Sequence, residues 1–197
     1  MKQVTMSVLA LLALLSACPV HASDAPPSPW EASLLEQAAT CAKVDAQTSK
    51  MLLKMLRIEA DEGLPDHVRG ITVAIACLEA KYNPKAEGDH KFSKDGKSPM
   101  AIGLFQMWPF WKQYKVDRKD PYAATKVWLG FVKARLGYVQ RVCKPKTEEQ
   151  KWSAAVAYSM MGPGKRCKQK TSHHRLLQKW RTRIVEADEA ADEVGSM

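Results

Sequence analysis

From Glu31 to about Ala190 the chain repeats one pattern: apolar residues at helical spacing, punctuated by residues that start or stop helices. That confines it to a mainly α fold, because a stripe recurring every three to four residues is buried on one side only by a helix. A first helix is expected over Glu31–Lys43. Asp45 is placed to cap a second, marked by Leu52, Leu53 and Leu56 and stopped near Glu62 by Gly63. Pro65 suits the first turn of a third helix, with Val68, Ile71, Ile75 and Leu78 along one face and Pro84 beyond its end. Residues 85–100 read as a polar loop, and Ile102 to Trp111 as a short apolar helix or turn. Asp120-Pro121 signals a long helix to about Val142. Thr147 with Gln150 forms a capping box for a helix to about Met160, closed by Gly162-Pro163-Gly164. A last helix is expected over Ser172–Ala190, with a loose tail beyond. No strand pair and no internal repeat is evident, so a single mainly α domain is expected.

The N-terminus bears on compartment. Lys2 precedes an apolar run from Val8 to Leu15, far shorter than the ~20 residues a membrane-spanning helix needs. A basic start, a short apolar run and a small-residue site form a secretory signal, here residues 1–22. Two cleavage sites compete. Val20-His21-Ala22 fits an ordinary signal peptidase, whereas Leu15-Ser16-Ala17-Cys18 resembles the lipobox of bacterial lipoproteins and makes Cys18 a candidate for lipidation. The chain is therefore expected to be exported, to the periplasm, the outer membrane or the medium. Residues 23–30, with Pro26, Pro27 and Pro29, read as a tether.

Either cleavage leaves Cys41, Cys77, Cys143 and Cys167. An even count in an oxidising compartment suggests two disulfides, and nearest-in-sequence pairing favours Cys41–Cys77 and Cys143–Cys167. No CxxC spacing is present, which argues against zinc. The formal charge of +9 implies an acidic partner: nucleic acid, an anionic membrane or an acidic wall polymer.

Glu79 is the first candidate for chemistry. It ends an apolar helix, among Ala76, Cys77, Leu78 and Ala80, with no charge partner nearby in sequence. A carboxyl so placed is costly to ionise, which suits a general acid working near neutral pH. Trp108, Phe110, Trp111 and Tyr114 form an aromatic cluster that suits either core packing or contact with the apolar C–H faces of sugar rings. Two further carboxylates, Asp89 and Asp95, lie in the polar loop.

Three segments occur in order: Glu79-Ala80-Lys81-Tyr82-Asn83-Pro84, Gly103-Leu104-Phe105-Gln106, and Ala157-Tyr158 through Gly162-Pro163-Gly164. Over roughly Leu64 to Gly164 this order resembles the lytic transglycosylases of the lysozyme superfamily. The resemblance implies a lysozyme-like single domain, here 31–184, with helices around a substrate cleft, and a substrate of peptidoglycan glycan strands. It makes Glu79 the catalytic residue and assigns substrate binding to Gly103, Gln106 and Tyr158. It implies no cofactor and no metal. The chain departs from the family pattern at Ala80, where a serine is usual, at Phe105 in place of methionine, and at Ser159 in place of asparagine. The expected reaction cleaves the bond between N-acetylmuramic acid and N-acetylglucosamine with a 1,6-anhydro product. A muramidase using Asp89 or Asp95 as second carboxylate is the near alternative, since ordinary glycosidases use two. A non-catalytic wall-binding protein of the same fold is the other. The export signal argues against a nucleic-acid partner.

Other motifs fail. Gly162-Pro163-Gly164-Lys165 lacks the glycine spacing of a phosphate loop, and Arg166 stands where Ser or Thr belongs. His173 and His174 are adjacent and point to different parts of a helix surface, a poor metal pair. A basic run, Lys165, Arg166, Lys168, Lys170, Arg175 and Lys179, precedes an acidic tail, 185–197. If Cys18 is lipidated, the mature protein fractionates with membranes and Cys18→Ser releases it. A soluble mature protein beginning at Ser23 would establish the ordinary signal-peptidase site instead.

Overall fold

The computed structural model describes residues 25–109, 114–162, 167 and 171–195, with side chains of the last helix described to residue 187. The leader with Cys18 and both cleavage sites, Phe110 and Trp111, Pro163 to Arg166, Lys168 and Lys170 lie outside the described residues. The chain is mainly helical. Its α-helices are α1 Pro29–Ala39, α2 Ala46–Asp61, α3 Ile71–Ala80, α4 Pro121–Cys143, α5 Glu148–Met161 and α6 Ser172–Gly195.

The start signals act as expected at α2 and α4, where Asp45 accepts from the Thr48 N–H and Asp120 from those of Tyr122 and Ala123. Thr147 caps α5 by accepting from Gln150 N–H, but the Gln150 side chain reaches back to Lys146 rather than to the cap residue. At α1 the helix starts earlier than expected. Ser28 and Glu31 form a full capping box with Pro29 in the first turn, inside the stretch that reads as a tether. The last helix runs through the acidic residues to Gly195, where a loose tail is expected.

The expected third helix is broken. Pro65 leads only a 3-10 turn, Asp66–Val68, and the chain turns at Gly70, φ 94°, before α3 begins. The left-handed φ suits glycine, and packing is close at this point: a Cβ on Gly70 would meet methyls of Leu34 in α1 and Leu177 in α6 at 2.9 Å. Leu78, expected on the apolar face, is exposed. Residues 71–77 and Ala80 are buried. A helix that is apolar all round belongs in a core, and α1, α2 and α6 all pack on this one, while α4 joins α2 to α5. Trp128 of α4 and Trp180 of α6 are wholly buried in the same core.

The polar loop holds a strand pair the sequence does not announce. Glu87–Gly88 (β1) pairs antiparallel with Ala101–Ile102 (β2), Glu87 opposite Ile102 and Gly88 opposite Ala101. Both cysteine pairs form as nearest-in-sequence pairing expects, Cys41–Cys77 and Cys143–Cys167. The first ties the segment after α1 to α3; the second ties the end of α4 to residue 167. Closing loops of 36 and 24 residues, each is worth about 3–4 kcal/mol.

The N-terminus of α3 has no cap from its own segment. Glu59 of α2, wholly buried, supplies one: its two oxygens accept from the N–H groups of Gly70 at 2.5 Å and Thr72 at 2.7 Å. Burial pushes its pKa from the ordinary 4.5 up to about 7, against the hydrogen bonds from Thr72 and Gly70 that pull it down. The raised value means that the folded state keeps a proton the unfolded chain releases above pH 4.5. Stability from this group is therefore full below pH 4.5 and is lost as pH rises through about 7. Melting temperature measured from pH 4 to 8 should fall across that window in the parent, and Glu59→Gln should flatten the fall. An unchanged slope in Glu59→Gln would remove Glu59 as its source.

Candidate functional site

Glu79 sits in the last turn of α3, and the chain leaves the helix through two left-handed residues, Lys81 at φ 49° and Tyr82 at φ 63°. Tyr82 is buried and its hydroxyl donates to the Ala38 carbonyl at 3.0 Å, which fixes this exit against α1. The Glu79 side chain is 31% exposed and opens into a cavity. Asp89, Gln106 and Trp108 come to the same cavity from the loop, Phe105 and Trp128 form its apolar wall, and Ser159 and Met160 close it from the end of α5.

The loop residues are held in unusual backbone states. Gln106 has φ 45° and its amide donates to the Gly103 carbonyl at 3.0 Å. Its Oε1 lies 2.7 Å from where a Cβ on Gly88 would stand, so a side chain there would push the Gln106 amide aside. Gly103 has φ 79°, and a Cβ would stand 1.9 Å from the Arg118 carbonyl oxygen. Arg118 holds the same turn from the other side, its guanidinium donating to the carbonyls of Met100 and Met107. Phe105 stacks on buried Trp128, ring centroids 5.4 Å apart. The apolar residue at 105 thus anchors the turn to α4.

The two loop carboxylates differ. Asp89, at φ 58°, accepts the Trp108 indole N–H at 2.9 Å and lines the cavity. Exposed Phe92 leans on Trp108 at 5.5 Å. Asp95 is outside the cavity wall, and it staples its own turn by accepting from Ser93, Lys97 and Ser98. Those bonds, Ser98 foremost, hold its carboxyl well below the usual carboxylate range. Tyr158 packs edge-on against Tyr138 at 5.5 Å with the Arg135 guanidinium 5.3 Å from its ring; the cavity is met by its neighbours Ser159 and Met160. The structure brings Glu79, Asp89, Gln106 and Trp108 together, with Gly103 beneath, and leaves Asp95 and Tyr158 apart.

Sequence reasoning misses His173. Its Nε2 lies 2.7 Å from Glu79 Oε1, across 94 residues of chain. A signal exists: His173 lies in register with Leu177, Trp180 and Ile184, all buried, on the inward face of α6. Its neighbour His174 is also buried, bonded to Thr171, and its pKa is pushed down to about 4 by burial first and then by His173 and His67. Among the described residues no group of three or more His, Cys, Asp or Glu is placed to hold a metal ion. A cavity with one sheltered carboxyl, a second exposed one and an amide can transfer a proton to a bound polar substrate and orient it.

The chain matches no protein-family model, no curated protein and no solved structure.

The Gly103 turn provides a test of the site's frame. Gly103→Ala should cost about 2–4 kcal/mol, because left-handed strain and a backbone clash add. Gly63→Ala, also left-handed at φ 68° but facing open space, should cost only about 1 kcal/mol. Thermal melts of the two variants compare them directly, and equal losses would refute the close approach at Arg118.

Proposed function

We propose that this protein cleaves peptidoglycan glycan strands as an exported lytic transglycosylase with a lysozyme-like fold. The observation that carries the reading is Glu79 at the end of a buried helix, opening onto a cavity shared with Gln106 and an aromatic wall. The three segments that carry the sequence resemblance converge there: Glu79 from the first, Phe105 and Gln106 from the second, Ser159 and Met160 from the third.

In the proposed reaction Glu79 protonates the glycosidic oxygen between N-acetylmuramic acid and N-acetylglucosamine. The C1–O bond breaks and the N-acetylglucosamine side leaves carrying that proton. The Glu79 carboxylate then takes the proton of the muramoyl C6 hydroxyl, whose oxygen bonds to C1 and closes the 1,6-anhydro ring. One carboxyl suffices, because the nucleophile is already part of the substrate and has a high effective concentration. Gln106, its amide fixed on Gly103, offers Oε1 to a sugar hydroxyl or N–H. The chain's excess of positive charge suits an anionic wall polymer.

One observation favours a second reading. Asp89 lines the same cavity as Glu79, as a base activating water in a muramidase would. Its Oδ2 is engaged by Trp108, however, which fits a residue that holds the aromatic wall.

With purified peptidoglycan, Glu79→Gln should lose more than about 100-fold of the muropeptide release while keeping the parent's circular dichroism and melting temperature. Asp89→Asn should keep substantial activity, and products should carry muramic ends lighter than hydrolysed ends by one water. Reducing muramic ends, lost with Asp89→Asn, would establish the muramidase. Unchanged release by folded Glu79→Gln would reject both.

A further inference from the structure

We propose that His173 is the positioning residue of Glu79, holding one carboxyl oxygen by a permanent Nε2–H bond so that the other carries the proton. The assignment of that second oxygen to catalysis rests on the reaction proposed above; the pairing and its tautomer do not.

His173 is buried, and its Nε2 meets Glu79 Oε1 at 2.7 Å. Its other nitrogen, Nδ1, is buried with no hydrogen-bond partner among the described residues. A neutral imidazole carries one N–H, and where it sits decides which group donates. A proton on Nδ1 would bury an unpaired donor and force Nε2 to accept from Glu79. A proton on Nε2 is paired with Oε1 and leaves only a lone pair unmet at Nδ1. Buried unpaired N–H groups are the rarer and costlier state. A doubly protonated ring would likewise bury an unpaired N–H at Nδ1. The Nε2–H tautomer follows.

With Nε2–H donating, Oε1 is an acceptor whether Glu79 is protonated or not. Its proton then belongs on Oε2, which has no hydrogen-bond partner among the described residues. Oε2 is thus the atom that gives the proton to the glycosidic oxygen and later takes one from the C6 hydroxyl. The bond to Oε1 strengthens as negative charge develops on the carboxyl, so it stabilises the transition state more than the ground state. It also fixes the plane of the carboxyl, and misplacement of a reacting group by about 1 Å costs on the order of 100-fold.

Two variants separate this role from packing. The side-chain amide introduced by His173→Gln reaches about as far as Nε2 and donates without titrating, whereas His173→Leu fills the space without donating. On purified peptidoglycan, His173→Leu should lose about 100-fold in kcat with KM little changed. His173→Gln should recover most of it. In a Glu79→Gln background His173→Leu should add no further loss. Equal losses in the two single variants, tracking their melting temperatures, or an additive loss in the double variant, would overturn the positioning role. Nitrogen-15 NMR of the full chain, labelled at histidine, should show His173 neutral with its proton on Nε2 and a resonance that moves in Glu79→Gln. A proton on Nδ1 would overturn the inference whatever the activity. If the parent releases no muropeptides, the proposed reaction falls, while the NMR result still decides the pairing.

Discussion

The buried helix α3 is the constraint on which the rest of the molecule depends. Residues 71–77 of it are enclosed, so the N–H groups at its start must find partners inside the protein. At its start the free N–H groups of Gly70 and Thr72 are met by Glu59. At its finish the chain is tied three ways: Cys77 to Cys41, Tyr82 to Ala38, and Glu79 to His173. Partners on α1, α2 and α6 therefore all bear on one ten-residue helix. A carboxyl carried on such a frame needs no loop to aim it.

The walls of the cavity are less regular and hold more strain. Lys81, Tyr82, Asp89 and Gln106 all have positive φ without being glycine, and all lie between the end of α3 and the Gly103 turn. Each such residue costs on the order of 1 kcal/mol and persists only where its surroundings over-determine it. The compensations are specific. Tyr82 has its bond to Ala38, Asp89 its bond from Trp108, Gln106 its bond to Gly103, and the ribbon's Glu87 an ion pair with Lys119 at 2.8 Å. Of the six non-glycine residues with positive φ among the described residues, Asp89 and Gln106 line the cavity, Lys81 and Tyr82 follow Glu79 in the chain, and Lys115 and Lys144 lie outside the cavity wall.

Much of this frame is legible in the sequence, because its signals are local. Asp45, Asp120 and Thr147 mark helix starts through a side chain and an N–H two or three residues on, and the nearest-neighbour cysteines pair as expected. Ser28 and Glu31 carry the same local signal, masked by the prolines around them. The left-handed turn at Gly70 is packed by methyls of Leu34 and Leu177, which are far away in sequence. Two-residue strands have no period to read, so the ribbon is silent. The cap from Glu59 and the partner of Glu79 depend on chain separations of 11 and 94 residues. Periodicity says that His173 faces inward, but not what it meets.

The two carboxyls of the cavity are held alike, each with one oxygen on a ring N–H, yet in different settings. Glu79 is paired with a buried imidazole, which donates to it in the proposed tautomer, and emerges from the core; Asp89 takes its bond from Trp108 and is exposed. In the proposed reaction the difference assigns the work. The proton must be delivered to a glycosidic oxygen at a fixed place, which favours the carboxyl on the enclosed helix. Asp89 instead sits at a left-handed turn whose neighbour Phe92 leans on the tryptophan that Asp89 orients. Removing the carboxylate would free the indole and with it the aromatic edge of the cavity. In that proposed reaction its contribution lies in holding the wall that would face the sugar, and Glu79 carries the proton.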